Sequence, residues 1–90
     1  MKEKVIIITG ASSGIGKALC FALAKNGNKL VLASRNKKRL TDVLQAINTD
    51  NINAISIITD VTKEEDCKNL IKKCIAEFGR IDVLINNAGI

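Results

Sequence analysis

Val5-Ile6-Ile7-Ile8-Thr9-Gly10-Ala11-Ser12-Ser13-Gly14-Ile15-Gly16 is the stretch that decides the architecture. Its first four residues are an unbroken β-branched run, too short for a helix and without the alternation of a half-exposed strand. They read as a strand buried on both faces, as in a parallel sheet. Thr9 to Gly16 then turns that strand into a helix that runs from Gly14 to Lys25. Ile15, Leu19, Ala22 and Leu23 fall at helical spacing, and Asn26-Gly27 forms the C-terminal cap. Three glycines in the turn permit a tight reversal, close approach of the backbone to a diphosphate, and close packing of the helix on the sheet. The free N–H groups of the first helical turn then face the anion. A glycine-rich loop alone says little; its place directly after a buried strand gives it weight. A triphosphate-hydrolysing loop is excluded, because five residues rather than four separate Gly10 from Gly16, and Ala18 follows Lys17 where Ser or Thr would bind magnesium.

Outward from this turn the pattern repeats. Lys29 to Ser34 carries Leu30-Val31-Leu32-Ala33 and is the second strand. Leu40, Val43, Leu44 and Ile47 define one face of a second helix that starts at Lys37-Lys38-Arg39. Ala54 to Thr59 is the third strand. Residues 63–78 form the last helix, with Thr62-Lys63-Glu64-Glu65 read as a capping box and Gly79 at the end. Its apolar stripe is Cys67, Leu70, Ile71, Cys74, Ile75 and Phe78. Asp82 to Asn86 is the fourth strand. The order βαβαβαβ implies a parallel α/β sheet with right-handed crossovers, uninterrupted by repeats or linkers. If the strands order as 3-2-1-4, a crevice opens between strands one and four at their C-terminal ends, where open α/β sheets bind ligands. The glycine loop and Asn87-Ala88-Gly89 both fall on that crevice.

Composition narrows the chemistry. The 90 residues are 47% hydrophobic and 26% charged, a globular balance, and contain no His, Tyr, Trp or Pro. No imidazole base, His metal ligand or phenolic acid is available. Cys20, Cys67 and Cys74 are an odd set without a CxxC pair, which argues against a disulfide framework and against a zinc site; they read as small buried hydrophobes in a reducing compartment. No apolar run approaches the ~18 residues of a membrane span, and Met1-Lys2-Glu3-Lys4 precedes too short an apolar stretch for a signal peptide. A cytoplasmic location without a membrane partner is expected. The net charge is +5, yet the lysines are scattered, and only Phe21 and Phe78 could stack on bases. Nucleic-acid binding is therefore not expected.

The glycines at 10, 14 and 16 depart from the usual GxGxxG spacing. This TGxxxGxG form, together with Asn86-Asn87-Ala88-Gly89, closely resembles the short-chain dehydrogenase/reductase family, classical type, across essentially all ninety residues. The resemblance implies a Rossmann-type doubly wound parallel sheet, four strands in the order 3-2-1-4 with helices on both faces, incomplete at the strand-four edge. Residues 1–90 would form the N-terminal part of a single NAD(P)-binding domain. The cofactor residues so implied are Gly10, Ser12, Ser13, Gly14, Ile15 and Gly16 at the loop, with Ser12 and Ser13 bonding phosphate or ribose. Ile15 packs beneath the diphosphate or fills the core. Asp60-Val61 matches the position whose Asp contacts the adenine amino group, although Asp60 reads equally as a helix-initiating turn. Asn87 lines the cofactor near its ribose, and Asn86, Ala88 and Gly89 hold the central sheet.

The end of strand two chooses the cofactor. An acidic residue there would bond the ribose 2′-hydroxyl and repel a 2′-phosphate, whereas this chain has Ser34-Arg35-Asn36. Charge-assisted bonds from Arg35 to the phosphate are worth about 1.5–3 kcal/mol, so NADP(H) is expected. Lys37, Lys38 and Arg39 sit where the helix macrodipole disfavours cations, a cost that a nearby anion would offset.

In the family a Tyr within Tyr-x-x-x-Lys handles the proton, and this chain has no Tyr, so no residue is carried over as catalytic. The chain is expected to bind cofactor at best and to be the N-terminal fragment of an NADP-dependent oxidoreductase whose carbonyl or alcohol substrate is met only by a longer parent. The reading from another class is a noncatalytic NADP-binding or dimerising module. Homo-oligomerisation through the edge of strand 82–86 or the helix 63–78 stays open, since strand four would be an unpaired apolar edge.

Overall fold

The computed structural model describes residues 3–48 and 53–87. Seven elements alternate along the chain: β1 (Val5–Thr9), α1 (Gly14–Lys25), β2 (Lys29–Ser34), α2 (Lys37–Ile47), β3 (Ala54–Ile58), α3 (Glu64–Phe78) and β4 (Val83–Ile85). All neighbouring strands run parallel, in the order β3-β2-β1-β4.

The pleat explains why β1 is apolar without alternation. Ile6 and Ile8 point to one face, where Leu30 and Leu32 of β2 meet α1 and α2 through Cys20, Leu23, Leu40, Val43 and Ile47. Val5 and Ile7 point to the other face, joined by Val31, Ala33 and Ile57 beneath Leu70 and Cys74 of α3. Each strand residue thus lands in one of two cores, and burial of each large side chain contributes about 1.5–3 kcal/mol. Register on β1 is further held at its start by Asp82. Its Oδ2 accepts from the Val5 N–H at 2.8 Å and from Arg80 Nε at 2.9 Å, while Arg80 Nη2 donates to the Glu3 carbonyl. The Val5 N–H bond, foremost, holds the Asp82 carboxyl below its usual value of 3.8. Among the described residues no helix is long and apolar enough to cross a membrane.

Four details differ from the sequence reading. The inner face of α1 is Gly16, Cys20, Leu23 and Ala24, and Ile15 is 62% exposed; the helix approaches the sheet through its small residues, which turns the larger Ile15 outward. On α3 the apolar stripe divides, with Leu70 and Cys74 buried and Ile71 and Ile75 still 40% and 45% exposed. The capping box does not form. Lys63 is the N-cap of α3, and Thr62 Oγ1 bonds instead to Asp60 Oδ1 at 2.6 Å, while Asp66 Oδ2 reaches back to the Asp60 N–H. Finally, β3 ends at Ile58 and β4 spans only Val83–Ile85, although the Thr59 N–H still bonds to the Ser34 carbonyl and the Asp82 N–H to the Val5 carbonyl.

Candidate functional site

The C-terminal ends of β1 and β4 meet through Thr9. Its hydroxyl donates to Asn86 Oδ1 at 3.1 Å and accepts the Asn87 backbone N–H at 3.0 Å. Asn87 then donates from Nδ2 to the Gly10 carbonyl at 3.2 Å, so the second residue after β4 holds the first turn of the glycine loop. Gly16 closes this arrangement from the α1 side. A Cβ at Gly16 would collide with the Gly10 carbonyl oxygen and lie 2.6 Å from Asn87 Nδ2. Gly14 has a different reason to be glycine. A Cβ there would meet nothing, but its φ of +55° is a conformation costing other L-residues about 1–2 kcal/mol.

The first turn of α1 is prepared for an anion. Its N-cap, Ser13, makes no side-chain capping bond, and no acidic residue lies in the first turn, so the amide groups beside Gly14 carry the positive end of the helix uncompensated. Open space over Gly14 allows a phosphate to approach this backbone, while the missing Cβ at Gly16 lets the Gly10 carbonyl and Asn87 close beneath it.

A cavity of about 660 Å³ extends from the loop across the ends of β2 and β3, walled by Gly10, Ser12, Ser13, Arg35, Arg39 and Asp60 among others. Ala11 N–H bonds to the Ala33 carbonyl, fixing the loop to β2. Ser12 Oγ lies 2.7 Å from Ser34 Oγ, and Asn36 Oδ1 caps α2 by accepting from the Arg39 N–H. Asp60 Oδ1 accepts from both the hydroxyl and the N–H of Thr62. These bonds, first that from the hydroxyl, hold its carboxyl below the usual 3.8, with Arg35 adding a weaker attraction. A hollow of equal volume lies between α2 and α3 above the β3 edge, but none of the glycine-loop residues reaches it, so volume alone does not pick out the site. What singles out the first cavity is its donor set: backbone amides at one end, a guanidinium in the middle and a carboxylate at the far wall. That set fits the phosphates and adenosine of a dinucleotide.

Of the residues expected from sequence, Gly10, Ser12, Ser13, Arg35, Asp60 and Val61 share this cavity, and Gly14 lines a smaller hollow beside it with Lys17 and Arg39. Gly16 and Asn87 meet beneath the loop. Ile15 does not fill the core, its side chain pointing outward. Ala88 and Gly89 lie outside the described residues. Thr9, Ser34 and Asn36 were not anticipated as site residues. Thr9 had a signal as the Thr of TGxxxGxG, and Asn36 as an N-cap residue before a helix.

A parallel sheet that reverses its winding between β1 and β4, with a glycine-rich turn at that point, places the chain among the Rossmann-like α/β proteins. A sequence profile of short chain dehydrogenases matches residues 4–90, and the chain belongs to that family, whose members use NAD(P) cofactors. It is 51% identical over 90 residues to an uncharacterised oxidoreductase of Listeria monocytogenes, covering 100% of this chain and 36% of that protein. It is 45% identical over 91 residues to an 11-beta-hydroxysteroid dehydrogenase of Pinus massoniana, covering 26% of it. The crystal structure of a short chain dehydrogenase from Bacillus anthracis superposes with a TM-score of 0.90 at 40% identity, over 97% of this chain and 35% of the other. One from Burkholderia phymatum in complex with NAD gives 0.89 at 31%, over 92% and 30%. The chain therefore spans about a quarter to a third of the length of these relatives.

Proposed function

We propose that residues 1–90 form the N-terminal, cofactor-binding part of an NADP-dependent short-chain oxidoreductase acting on a carbonyl or alcohol in the cytoplasm. The observation that carries the cofactor choice is Arg35, placed on the wall of the loop cavity at the end of β2, where no carboxylate stands. Bound there, the cofactor supplies the hydride chemistry. The chain's own residues bind and orient it. Amides of the α1 N-terminus and Ser12 and Ser13 take the diphosphate, Arg35 takes the 2′-phosphate, and Asp60 and Val61 take the adenine. Gly16 and Asn87 hold the loop beneath the diphosphate. No side chain of this set is assigned to proton transfer, so the chain by itself binds and does not turn over.

Titration with both cofactors tests the reading. Wild type is expected to bind NADP(H) more tightly than NAD(H), and Arg35→Ala to lose about ten- to a hundredfold in NADP affinity, the equivalent of a charge-assisted contact. Tighter binding of NAD, or unchanged NADP affinity in the variant, would refute it.

A second reading rests on the β4 edge. Leu84 is 54% exposed on the same side of the sheet as Ile71 and Ile75 of α3, an apolar margin suited to a second copy of the chain. A dimerising module would sediment as a concentration-dependent dimer that Leu84→Asp converts to monomer; a monomer at all concentrations would dismiss it.

A further inference from the structure

We infer that Ser34 is a positioning residue that sets cofactor choice, latching the arm bearing Arg35 to the loop that takes the diphosphate. The inference rests on the reading of Arg35 as the 2′-phosphate contact. Two groups must meet one ligand at once: the α1 amides at its 5′ side and Arg35 at its 2′ side. Their separation is set by whatever ties the β1–α1 loop to the β2–α2 turn.

Ser34 Oγ makes that tie with its side chain. It lies 2.7 Å from Ser12 Oγ in the loop and accepts the Asn36 N–H at 3.2 Å in the turn. Arg35 stands between the two residues that this hydroxyl spans. Asn36 extends the connection by accepting the Arg39 N–H at 3.0 Å, so the start of α2 is fixed from the same hydroxyl. The chain of bonds runs Ser12, Ser34, Asn36, Arg39, and every member lines the same cavity.

The backbone ties nearby act elsewhere. Ala11 N–H to Ala33 O at 3.1 Å and Thr59 N–H to Ser34 O at 2.9 Å anchor the loop and β3 to the strand. Neither reaches beyond Ser34 into the turn. Without the Ser34 hydroxyl the strand remains paired, while the Arg35 turn is free to drift relative to the loop. A ligand that touches only one end tolerates that drift; a ligand that spans both does not, because the ordering of the arm must then be supplied at binding. Ser34 is thus distinct from Arg35, which touches the phosphate, since it acts through the geometry of its neighbours.

The test uses the full chain and three probes by calorimetric titration: adenosine 5′-monophosphate, adenosine 2′-monophosphate and adenosine 2′,5′-bisphosphate. In Ser34→Ala the bisphosphate is expected to weaken by about three- to tenfold, the yield of one lost hydrogen bond, and each monophosphate by less than about twofold. Ser34→Thr, which keeps the hydroxyl, should restore the bisphosphate affinity, while Ser12→Ala, which also removes a diphosphate contact, should weaken the bisphosphate and the 5′-monophosphate and spare the 2′-monophosphate. Equal weakening of all three ligands, or no weakening of the bisphosphate, overturns the latch. So does loss of the folded circular dichroism signal in both alanine variants, which would make the bond a folding contact. A wild-type protein that binds the bisphosphate no better than the 5′-monophosphate refutes the NADP reading instead, and shows it before any variant is made.

Discussion

Substituting Gly16 by alanine separates the two reasons for glycine in the loop. The added methyl would sit 2.6 Å from Asn87 Nδ2 and 2.9 Å from the Gly10 carbonyl carbon, inside the contact distance of that carbonyl's oxygen as well. On the Gly10 side the obstacle is backbone, so no rotamer change relieves it. On the Asn87 side the amide is held by its bond to the same carbonyl at 3.2 Å, so relief on one flank disturbs the other. Overpacking of this kind costs about 1–3 kcal/mol, and a backbone obstacle puts the cost near 3. Alanine recovers about 1 kcal/mol over glycine within a helix, leaving a net loss of about 2 kcal/mol. For a domain of this size each kcal/mol moves Tm by roughly 4–8 °C, so thermal circular dichroism should show a fall of about 8–16 °C. Gly14 supplies the control. Its conformation, with φ at +55°, and not the space around it, excludes alanine, and Asn enters that conformation more readily than other residues. Gly14→Asn should therefore destabilise far less than Gly16→Asn. A Gly16→Ala protein that melts within about 2 °C of wild type, or above it as propensity alone would dictate, would refute the claim that this contact is closed.

Thr9→Val should cost about 1–3 kcal/mol, because it removes the acceptor of the Asn87 N–H and the donor to Asn86, and it should weaken NADP binding as Asn87 releases the loop. Thermal melts with a parallel cofactor titration check both effects, and a fall in Tm with unchanged affinity would separate Thr9 from the site. Asp82 carries a pH signature: its carboxyl is held below 3.8 by the Val5 N–H, so its contribution is complete above that value and is lost as pH falls through the lower folded value. Asp82→Ala should accordingly lower Tm at neutral pH and flatten the acid limb of the Tm–pH curve. An acid limb as steep as that of wild type would remove Asp82 from the account, leaving Asp60, shifted in the same direction, as the carboxylate to test next.

How far the fold could be read from the residues depended on where each signal was local. β1 was readable because both its faces are buried and nothing polar could interrupt it, and the loop was readable because its glycines fall within one turn. Helix faces were less so. A pattern search gives weight to large apolar residues, and α1 meets the sheet through Gly16, Cys20 and Ala24, which register weakly while Ile15 registers strongly. On α3 the stripe was real, but it faces two surroundings at once: Leu70 and Cys74 meet the sheet, and Ile71 and Ile75 stay partly exposed. The Thr62 capping box failed for a short-range reason, since an Asp two residues earlier competes for the same hydroxyl.

The site divides in the same way. Gly10, Gly14 and Arg35 announce themselves through local rules, because a positive φ or a cation at a strand end has meaning in isolation. Ser12 and Ser34 do not, since nothing in either segment requires the other. They meet because β1 and β2 pair with Thr9 opposite Ala33, so that the chain leaves both strands at the same level and the loop folds back over the end of β2. That register is a property of two cores filled at once, with Ile6 against Leu30 and Ile7 against Val31 on opposite faces; a slip of one residue would exchange the faces and separate the serines. The cofactor arm is therefore positioned by apolar packing some distance from the ligand, and the hydroxyl pair converts that packing into a fixed spacing between the two phosphate contacts.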